Sequence, residues 1–169
     1  MGDHLVTFDY LSHKQTMKQA DYQDRWGRNL VNINLSHEVH ARLDRVWSII
    51  ADVDKEPYFW PSLNTVNNIT KNGNVIEREI TVGFKNSKSC QTVVLNPRKS
   101  VEVLITRGPV RGIRSITLNS SAQNNNATVI NISWNIDLSS IPISDRTYVR
   151  NNIEKETTEA LNRLAEVAE

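Results

Sequence analysis

The stretch VHARLDRVWSIIADVDKEPYFWP, residues 39–61, decides how the rest of the chain is interpreted. Its apolar residues recur at the i, i+3, i+4, i+7 spacing of one buried helical face. They are Leu43, Val46, Trp47 and Ile50. Asp44 falls in the first turn, where the helix dipole favours a negative charge. Pro57 disfavours helical geometry in the residue before it, so the pattern predicts a short helix, a second short segment and then an aromatic run.

The bulk composition indicates one ordinary globular domain. The chain has 169 residues, of which 38% are hydrophobic and 23% are charged, and its formal net charge is +1. No basic block stands out, so the charge pattern expected of a nucleic-acid-binding protein is missing. The single cysteine, Cys90, excludes an intrachain disulfide and a multi-cysteine metal site. The N-terminus shows no long apolar run, so we expect neither a secretory signal nor a membrane span, and a cytoplasmic protein is the default.

Most of the chain after residue 30 alternates between apolar and polar residues, as half-buried strands of an antiparallel sheet do. The clearest alternations run over residues 31–41, 75–84 and 128–138. Turn signals separate further strands, among them Lys71-Asn72-Gly73-Asn74 and the break from Gly108 to Gly112. Asp145 is predicted to cap a final amphipathic helix that ends near Ala168.

The predicted stripe of the final helix consists of Val149, Ile153, Thr157, Ala160, Leu161, Leu164 and Val167. The element order is one strand, two short helices, about six strands and one long helix, without βαβ alternation. Consecutive strands favour one antiparallel meander, which must curl. The sequence therefore predicts an α+β fold in which a curved sheet of about seven strands wraps the long helix.

Residues 31–168 resemble the START-related SRPBCC superfamily, the birch-pollen-allergen fold, and within it the coenzyme-Q-binding and polyketide cyclase/dehydrase branch. The matching features are Val46-Trp47, Ala51-Asp52, Pro57, Trp60-Pro61, the Gly108-Pro109 to Gly112 break, Thr128-Val129 and the closing helix. The resemblance implies a helix-grip fold with a deep cavity between sheet and helix. Family members hold lipids, quinones, steroids, hormones or polyketides there, and a minority catalyse reactions. Residues 1–30 lie outside the resemblance and are interpreted as an N-terminal extension: a decoration, a ligand lid or a dimer arm.

Arg78 is the strongest candidate for a ligand-binding residue, because it is a charge in the apolar register of Ile76, Ile80 and Val82. A guanidinium buried without a partner is very costly. Arg78 therefore either meets a carboxylate, for which Glu156 is the candidate, or donates hydrogen bonds to an oxygen-bearing ligand. The other predicted cavity residues are Trp60, Phe84, Ile132, Trp134 and Leu161, with the space expected behind Ile132 and Leu161. Ordinary core packing is the alternative for the aromatic residues.

Catalytic and metal-binding interpretations find little support in the sequence. His37 and His40 fall on opposite faces of a strand, so they cannot bind one metal ion together. The sequence shows no His–Asp or His–Asn pattern that would activate Cys90 for nucleophilic catalysis. Glu77 and Glu79 share a face that is predicted to be solvated. We therefore predict no catalytic residue, no metal and no cofactor.

The sequence is compatible with three functions. The first is non-catalytic binding or transfer of an apolar small molecule, such as a lipid, an isoprenoid quinone or a polyketide-like ring system. The second is an aromatase/cyclase or dehydratase-like enzyme, for which the sequence offers no obvious acid–base partner to Arg78. The third is a module that acts by protein contact. A homodimer or a protein partner is compatible with each.

Overall fold

The computed structural model describes residues 30–83 and 85–169. The predicted N-terminal extension lies outside these ranges, apart from Leu30, which begins the first strand. Phe84, one of the predicted cavity residues, also lies outside them.

The described residues form seven strands and three helices, in the order that the sequence predicts. The elements are β1 (Leu30–Val39), α1 (Leu43–Ile50), a 3₁₀ helix (Val53–Tyr58), β2 (Leu63–Asn72), β3 (Val75–Val82), β4 (Ser87–Asn96), β5 (Ser100–Arg107), β6 (Arg111–Ser120), β7 (Thr128–Asp137) and α2 (Ile143–Ala168).

The seven strands form one antiparallel sheet in the order β1-β7-β6-β5-β4-β3-β2. Strands β2 to β7 pair sequentially as hairpins, and β1 pairs with β7 at one edge of the sheet. Register shifts between Cys90 and Gln91 and at two places in β2 interrupt the ladder. Such bulges increase the local twist and bend. The curved sheet leaves a concave face for α2, so the predicted α+β helix-grip fold is confirmed.

One hydrophobic core joins the concave face of the sheet to all three helices. Alternate strand residues such as Val103, Ile116 and Ile132 belong to the same core cluster as Ala160 and Leu161 of α2. The predicted face of α1 is also confirmed, because Val46 and Ile50 are buried, with Leu43 and Trp47 packed beside them.

Two predictions about α2 were wrong. The helix begins at Ile143, so Asp145 lies inside the first turn and its side chain makes no cap hydrogen bond. Pro142 occupies the N-cap position, and its fixed φ sets the start of the helix earlier than the polar pattern suggested. Val167 is 49% exposed. The small residues Ala165 and Ala168 are buried instead, where the end of α2 packs beside α1.

Gly112 fixes the hairpin between β5 and β6. Its φ is 139°, a conformation that side-chain-bearing residues rarely adopt, and a Cβ there would lie 2.1 Å from the carbonyl oxygen of Asn135. Gly112 thus lies close against β7, while Gly108 at the other end of the turn lies close to Ser89 of β4. Pro109 and Val110, between these two glycines, lie at the rim of the concave face and line a cavity there.

Candidate ligand cavity

A cavity of about 150 Å³ lies between the concave face and the N-terminal half of α2. Strands β2 to β7 and α2 all contribute to it. Its apolar lining consists of Trp60, Leu63, Ile80, Val82, Ile105, Pro109, Val110, Trp134 and Ile153, and its polar lining of Ser62, Ser89, Gln91, Arg114 and Glu156. Exposed Pro109 and half-buried Val110 lie at its rim. A mostly apolar pocket with a few placed polar groups is the usual form of a small-molecule site.

A buried Arg–Glu–Arg triad lies at the inner end of the cavity. Glu56, from the 3₁₀ helix, accepts a hydrogen bond from Arg78 with one carboxylate oxygen and from Arg114 with the other. All three side chains are buried. Arg78 also donates to Gln91 Oε1 at 2.9 Å and to the carbonyl oxygen of Val53 at 3.3 Å. The triad has a formal net charge of +1, because one carboxylate faces two guanidinium groups.

The pKa values of Glu56 and Arg114 are shifted within the triad. Burial raises the pKa of Glu56, but the charges of Arg114 and Arg78 outweigh it, so the pKa of this carboxyl lies below its ordinary value. Burial lowers the pKa of Arg114, and the charge of Arg78 adds to the effect while Glu56 opposes it. Arginine stays protonated in proteins, so both guanidinium groups are charged.

Arg114 is the member of the triad that lines the cavity. Its guanidinium carbon lies 4.6 Å from the ring centre of Trp60 and 5.7 Å from that of Trp134. The two rings meet edge to face, with centres 5.8 Å apart and planes at 81°. Arg114 Nε is buried and has no hydrogen-bond partner among the described residues. A donor in this state can be satisfied by an oxygen atom of a ligand.

Glu156 supplies a carboxyl group to the same cavity from α2. Its Oε2 accepts a hydrogen bond of 2.6 Å from Ser62 Oγ. Burial raises the pKa of Glu156, and the charge of Glu159 adds to this, although the bond from Ser62 opposes it. Trp134 is fixed nearby, because its Nε1 donates to Thr157 Oγ1 at 3.0 Å. The cavity therefore has a cationic group and an acidic group set in apolar walls.

The predicted cavity residues divide between the cavity and the solid core. Trp60 and Trp134 line the cavity. Ile132 and Leu161 belong to the packed core cluster and do not line it, so the space is displaced from its predicted position towards the N-terminal half of α2. Arg78 is fully buried behind the lining. The prediction that Glu156 pairs with Arg78 was wrong, because Glu56 is its carboxylate partner.

Two residues of the site, Arg114 and Glu56, were missed from the sequence. Arg114 was detectable by the criterion that selected Arg78, since it is a charge in the apolar register of Ile116 and Leu118. Glu56 gave no such signal, because the 3₁₀ helix has no long apolar stripe from which a carboxylate could stand out. Glu156 was recognised as a candidate, but a residue at the margin of a helical stripe gives no sign of its hydrogen-bond partner, which is Ser62.

The two histidines of the described ranges, His37 and His40, show no metal-binding arrangement. His37 is half-buried and His40 is exposed, on strand and turn positions that follow the predicted alternation. Across residues 30–83 and 85–169, no three His, Cys, Asp or Glu side chains come together in a way that could hold a metal ion. No helix in the same ranges is long and apolar enough to cross a membrane.

The fold and the cavity together define a helix-grip protein with an internal site. Residues 31–169 match the model of the family described as "Polyketide cyclase / dehydrase and lipid transport". The chain therefore belongs to this family, within the SRPBCC superfamily that the sequence resembles. No curated protein matches the chain.

Solved structures with the same fold are distant in sequence. TTHA0849 from Thermus thermophilus is similar with a TM-score of 0.70 and 12% identity, over 82% of this chain and 97% of that one. The Zhui aromatase/cyclase from Streptomyces sp. R1128 has a TM-score of 0.67 and 15% identity, over 82% and 93%. Ara h 8.0201 has a TM-score of 0.61 and 10% identity, over 82% and 97%. At these identities the similarity concerns the fold alone.

Proposed function

We propose that this protein binds a small, mostly apolar molecule whose oxygen-bearing group is held by Arg114. The observation that supports this most directly is Arg114, which lines a mostly apolar cavity and whose buried Nε has no hydrogen-bond partner among the described residues. A hydrogen bond from a charged donor to a ligand oxygen contributes about 1.5–3 kcal/mol. The cationic triad favours an oxygen with negative charge, such as a carboxylate, a phenolate or an enolate.

The size of the cavity limits the part of the ligand that is enclosed. A volume of about 150 Å³ is close to that of cavities that hold a single benzene ring. Trp60 and Trp134 offer an aromatic corner beside Arg114, which suits a flat ring. A larger polyketide, quinone or lipid would extend past Pro109 and Val110 into solvent. Binding of coenzyme Q or of a lipid in particular stays a prediction.

The test compares 4-fluorobenzoate with fluorobenzene, measured by fluorine NMR on the purified protein. We expect the carboxylate probe to bind at least about tenfold more tightly, which corresponds to about 1.4 kcal/mol. In Arg114→Gln this preference should disappear. Equal affinities of the two probes for the wild-type protein would contradict the proposal.

Arg78→Gln is the matched control for this experiment. Either substitution leaves Glu56 with one arginine, so each variant retains a neutral buried ion pair. Arg78 does not line the cavity, whereas Arg114 does. We therefore expect Arg78→Gln to keep the preference for the carboxylate probe. If both variants lose it equally, the charge of the triad acts at a distance and Arg114 is not the direct contact.

Proton-transfer catalysis is the second candidate function, and Glu156 is the observation that favours it. A carboxyl group with a raised pKa in the same cavity as a guanidinium can remove a proton from the carbon beside a ligand carbonyl, while Arg114 holds the resulting enolate oxygen. The protonated carboxyl then returns a proton to carbon. Cyclase and dehydrase chemistry includes steps of this kind.

Deuterium loss from α-deuterated acetophenone to water would report this activity. We expect Glu156→Gln to lower the protein-dependent rate by at least about a hundredfold, as loss of a general base does. Glu166→Gln, on an exposed position of the same helix, should leave it unchanged. Probe binding without protein-dependent exchange would favour the non-catalytic function.

A further inference from the structure

Gln91, on β4, is a polar residue of the cavity that the proposed function leaves without a role. It lines the cavity and is 7% exposed. Its Oε1 atom accepts the hydrogen bond of 2.9 Å from Arg78 Nε, and the register places the two residues directly opposite each other on β4 and β3. A fully buried guanidinium group therefore holds this side chain in one orientation.

The bond to Arg78 fixes which end of the Gln91 amide is open to the cavity. An arginine Nε can only donate a hydrogen bond, so the amide atom that meets it must be the oxygen. The Nε2 group consequently points away from Arg78, and it has no hydrogen-bond partner among the described residues. Arg78 lies behind the lining, whereas Gln91 belongs to it. A neutral amide donor is thus left open on the cavity side.

Gln91 and Arg114 form the two ends of one hydrogen-bonded chain along the cavity. Gln91 accepts a hydrogen bond from Arg78, which in turn donates to one carboxylate oxygen of Glu56. The other oxygen of Glu56 accepts from Arg114. Each end of the chain keeps one donor without a partner among the described residues, which is Nε2 of Gln91 and Nε of Arg114.

The sheet keeps these two donors at separate points of the lining. Gln91 pairs with Ile105, and Arg114 pairs with Val103, so β5 lies between them and they differ by one two-residue step along it. Two strand spacings and one such step separate their Cα atoms by roughly 12 Å. The guanidinium group of Arg78 and the carboxylate of Glu56 also lie between them in the chain. The two donors therefore suit two separate oxygen functions of one ligand.

We propose that Gln91 is a second ligand-binding residue, whose Nε2 donates a hydrogen bond to a neutral ligand oxygen while Arg114 holds the anionic one. This rests on the proposed function, because Arg114 is taken as the first contact. It narrows the ligand class to a ring that bears an anionic oxygen function on one side and a carbonyl oxygen on the other. Trp60 and Trp134, beside Arg114, provide aromatic walls for such a ring.

Two benzoates that differ only in the second group test this inference by isothermal titration calorimetry. 4-Acetylbenzoate carries a carbonyl acceptor, and 4-isopropenylbenzoate has nearly the same shape without an acceptor. We expect the wild-type protein to bind the acetyl probe about three- to tenfold more tightly, which is the range of one neutral hydrogen bond. A wild-type protein that does not distinguish the two probes would overturn the inference.

Gln91→Glu removes the open donor and keeps the bond to Arg78, because a carboxylate also accepts from Nε. We expect the ratio of the two affinities to fall to one or below, since an acceptor then faces the ligand carbonyl. The added negative charge weakens both benzoates alike and cancels in the ratio. If Gln91 only positions Arg78, the variant keeps the wild-type ratio and the inference is wrong. Gln123→Glu, the same change at an exposed position outside the cavity, should leave the ratio unchanged.

The infrared carbonyl band of ¹³C-labelled 4-acetylbenzoate gives a second measurement, which does not depend on the affinity. A hydrogen bond polarises the carbonyl, so we expect a lower frequency for the probe bound to the wild type than for the probe bound to Gln91→Glu. The same frequency in both would contradict a contact with Gln91. Failure of the proposed function is visible separately, because the preference for 4-fluorobenzoate over fluorobenzene involves no second oxygen function.

Discussion

The two halves of the interface between α2 and the sheet differ in packing. In the C-terminal half, Ala160, Leu161 and Leu164 meet the strands in a solid core. In the N-terminal half, Ile153 and Glu156 border a cavity, and Tyr148 is 73% exposed. The same helix therefore packs tightly at one end and leaves space at the other. The residues that border the space include the charged Arg114 and Glu156, whereas the packed half of the helix presents aliphatic side chains.

The buried triad borders the hollow half, and among the predictions Glu56→Gln should have the largest effect. Removing the carboxylate leaves two guanidinium groups buried side by side, which we expect to lower the free energy of unfolding by about 3–5 kcal/mol. Urea unfolding followed by circular dichroism measures the change. Asp54→Asn, at an exposed acid of the same 3₁₀ helix, should change stability by less than about 0.5 kcal/mol. Similar losses in both variants would show that the triad is not stabilised by its carboxylate.

Matched truncations of α2 test the contrast between the two halves directly. Leu161→Ala should cost about 2–5 kcal/mol, because it opens a new cavity in a packed core. Ile153→Ala should cost only about 1 kcal/mol, since its side chain is half-buried and already borders empty space. Thermal and urea unfolding of both variants give the comparison. Equal costs would mean that the N-terminal half is as tightly packed as the C-terminal half.

The smallest effect concerns the pH dependence of Glu156→Gln. Because the pKa of Glu156 is raised in the folded protein, its contribution to stability is present below the unfolded pKa and is lost as the pH rises through the folded pKa. We expect the variant to be more stable than the wild type at neutral pH, by less than about 1 kcal/mol because solvent screens a half-exposed group. Below about pH 4 the difference should vanish. Glu166→Gln is the exposed control, and a gain that is independent of pH would contradict the prediction.

Glu56 has the opposite dependence on pH. Its lowered pKa gives stability that is present above the unfolded pKa and is lost as the pH falls through the folded pKa. Acid should therefore weaken the triad. The pKa values of these two carboxyl groups are thus shifted in opposite directions. Burial, with the like charge of Glu159, raises the pKa of Glu156, whereas two guanidinium charges outweigh burial at Glu56 and lower its pKa.

The fold could be predicted because it depends on patterns that are local in sequence. Alternation gave the strands, and the 3.6-residue spacing gave α1 and most of α2. Turn residues gave the hairpins, and the absence of βαβ units gave an antiparallel sheet. The errors fell at the helix ends, where Pro142 set the start of α2 and packing against α1 selected Ala165 over Val167. Contacts with other elements decide such positions.

The site could be predicted only in part. Arg78 was recognised as a charge that needs a partner, but the choice between Glu156 and Glu56 required the path of the 3₁₀ helix under the sheet. Trp60 and Trp134 were selected from their size and register, and they line the cavity. Ile132 and Leu161 satisfied the same criterion, yet they are packed. Inward orientation follows from periodicity, whereas empty space depends on the fit of many side chains at once.

The sequence by itself determined the elements, their order and the face that each one buries, because these follow from backbone propensity and the period of the apolar residues. Only the tertiary structure decided which half of α2 stands away from the sheet, and which of two arginines faces the resulting space. The physical reason is that both depend on distances between residues far apart in the chain, such as Glu56 and Arg114, which no local pattern encodes.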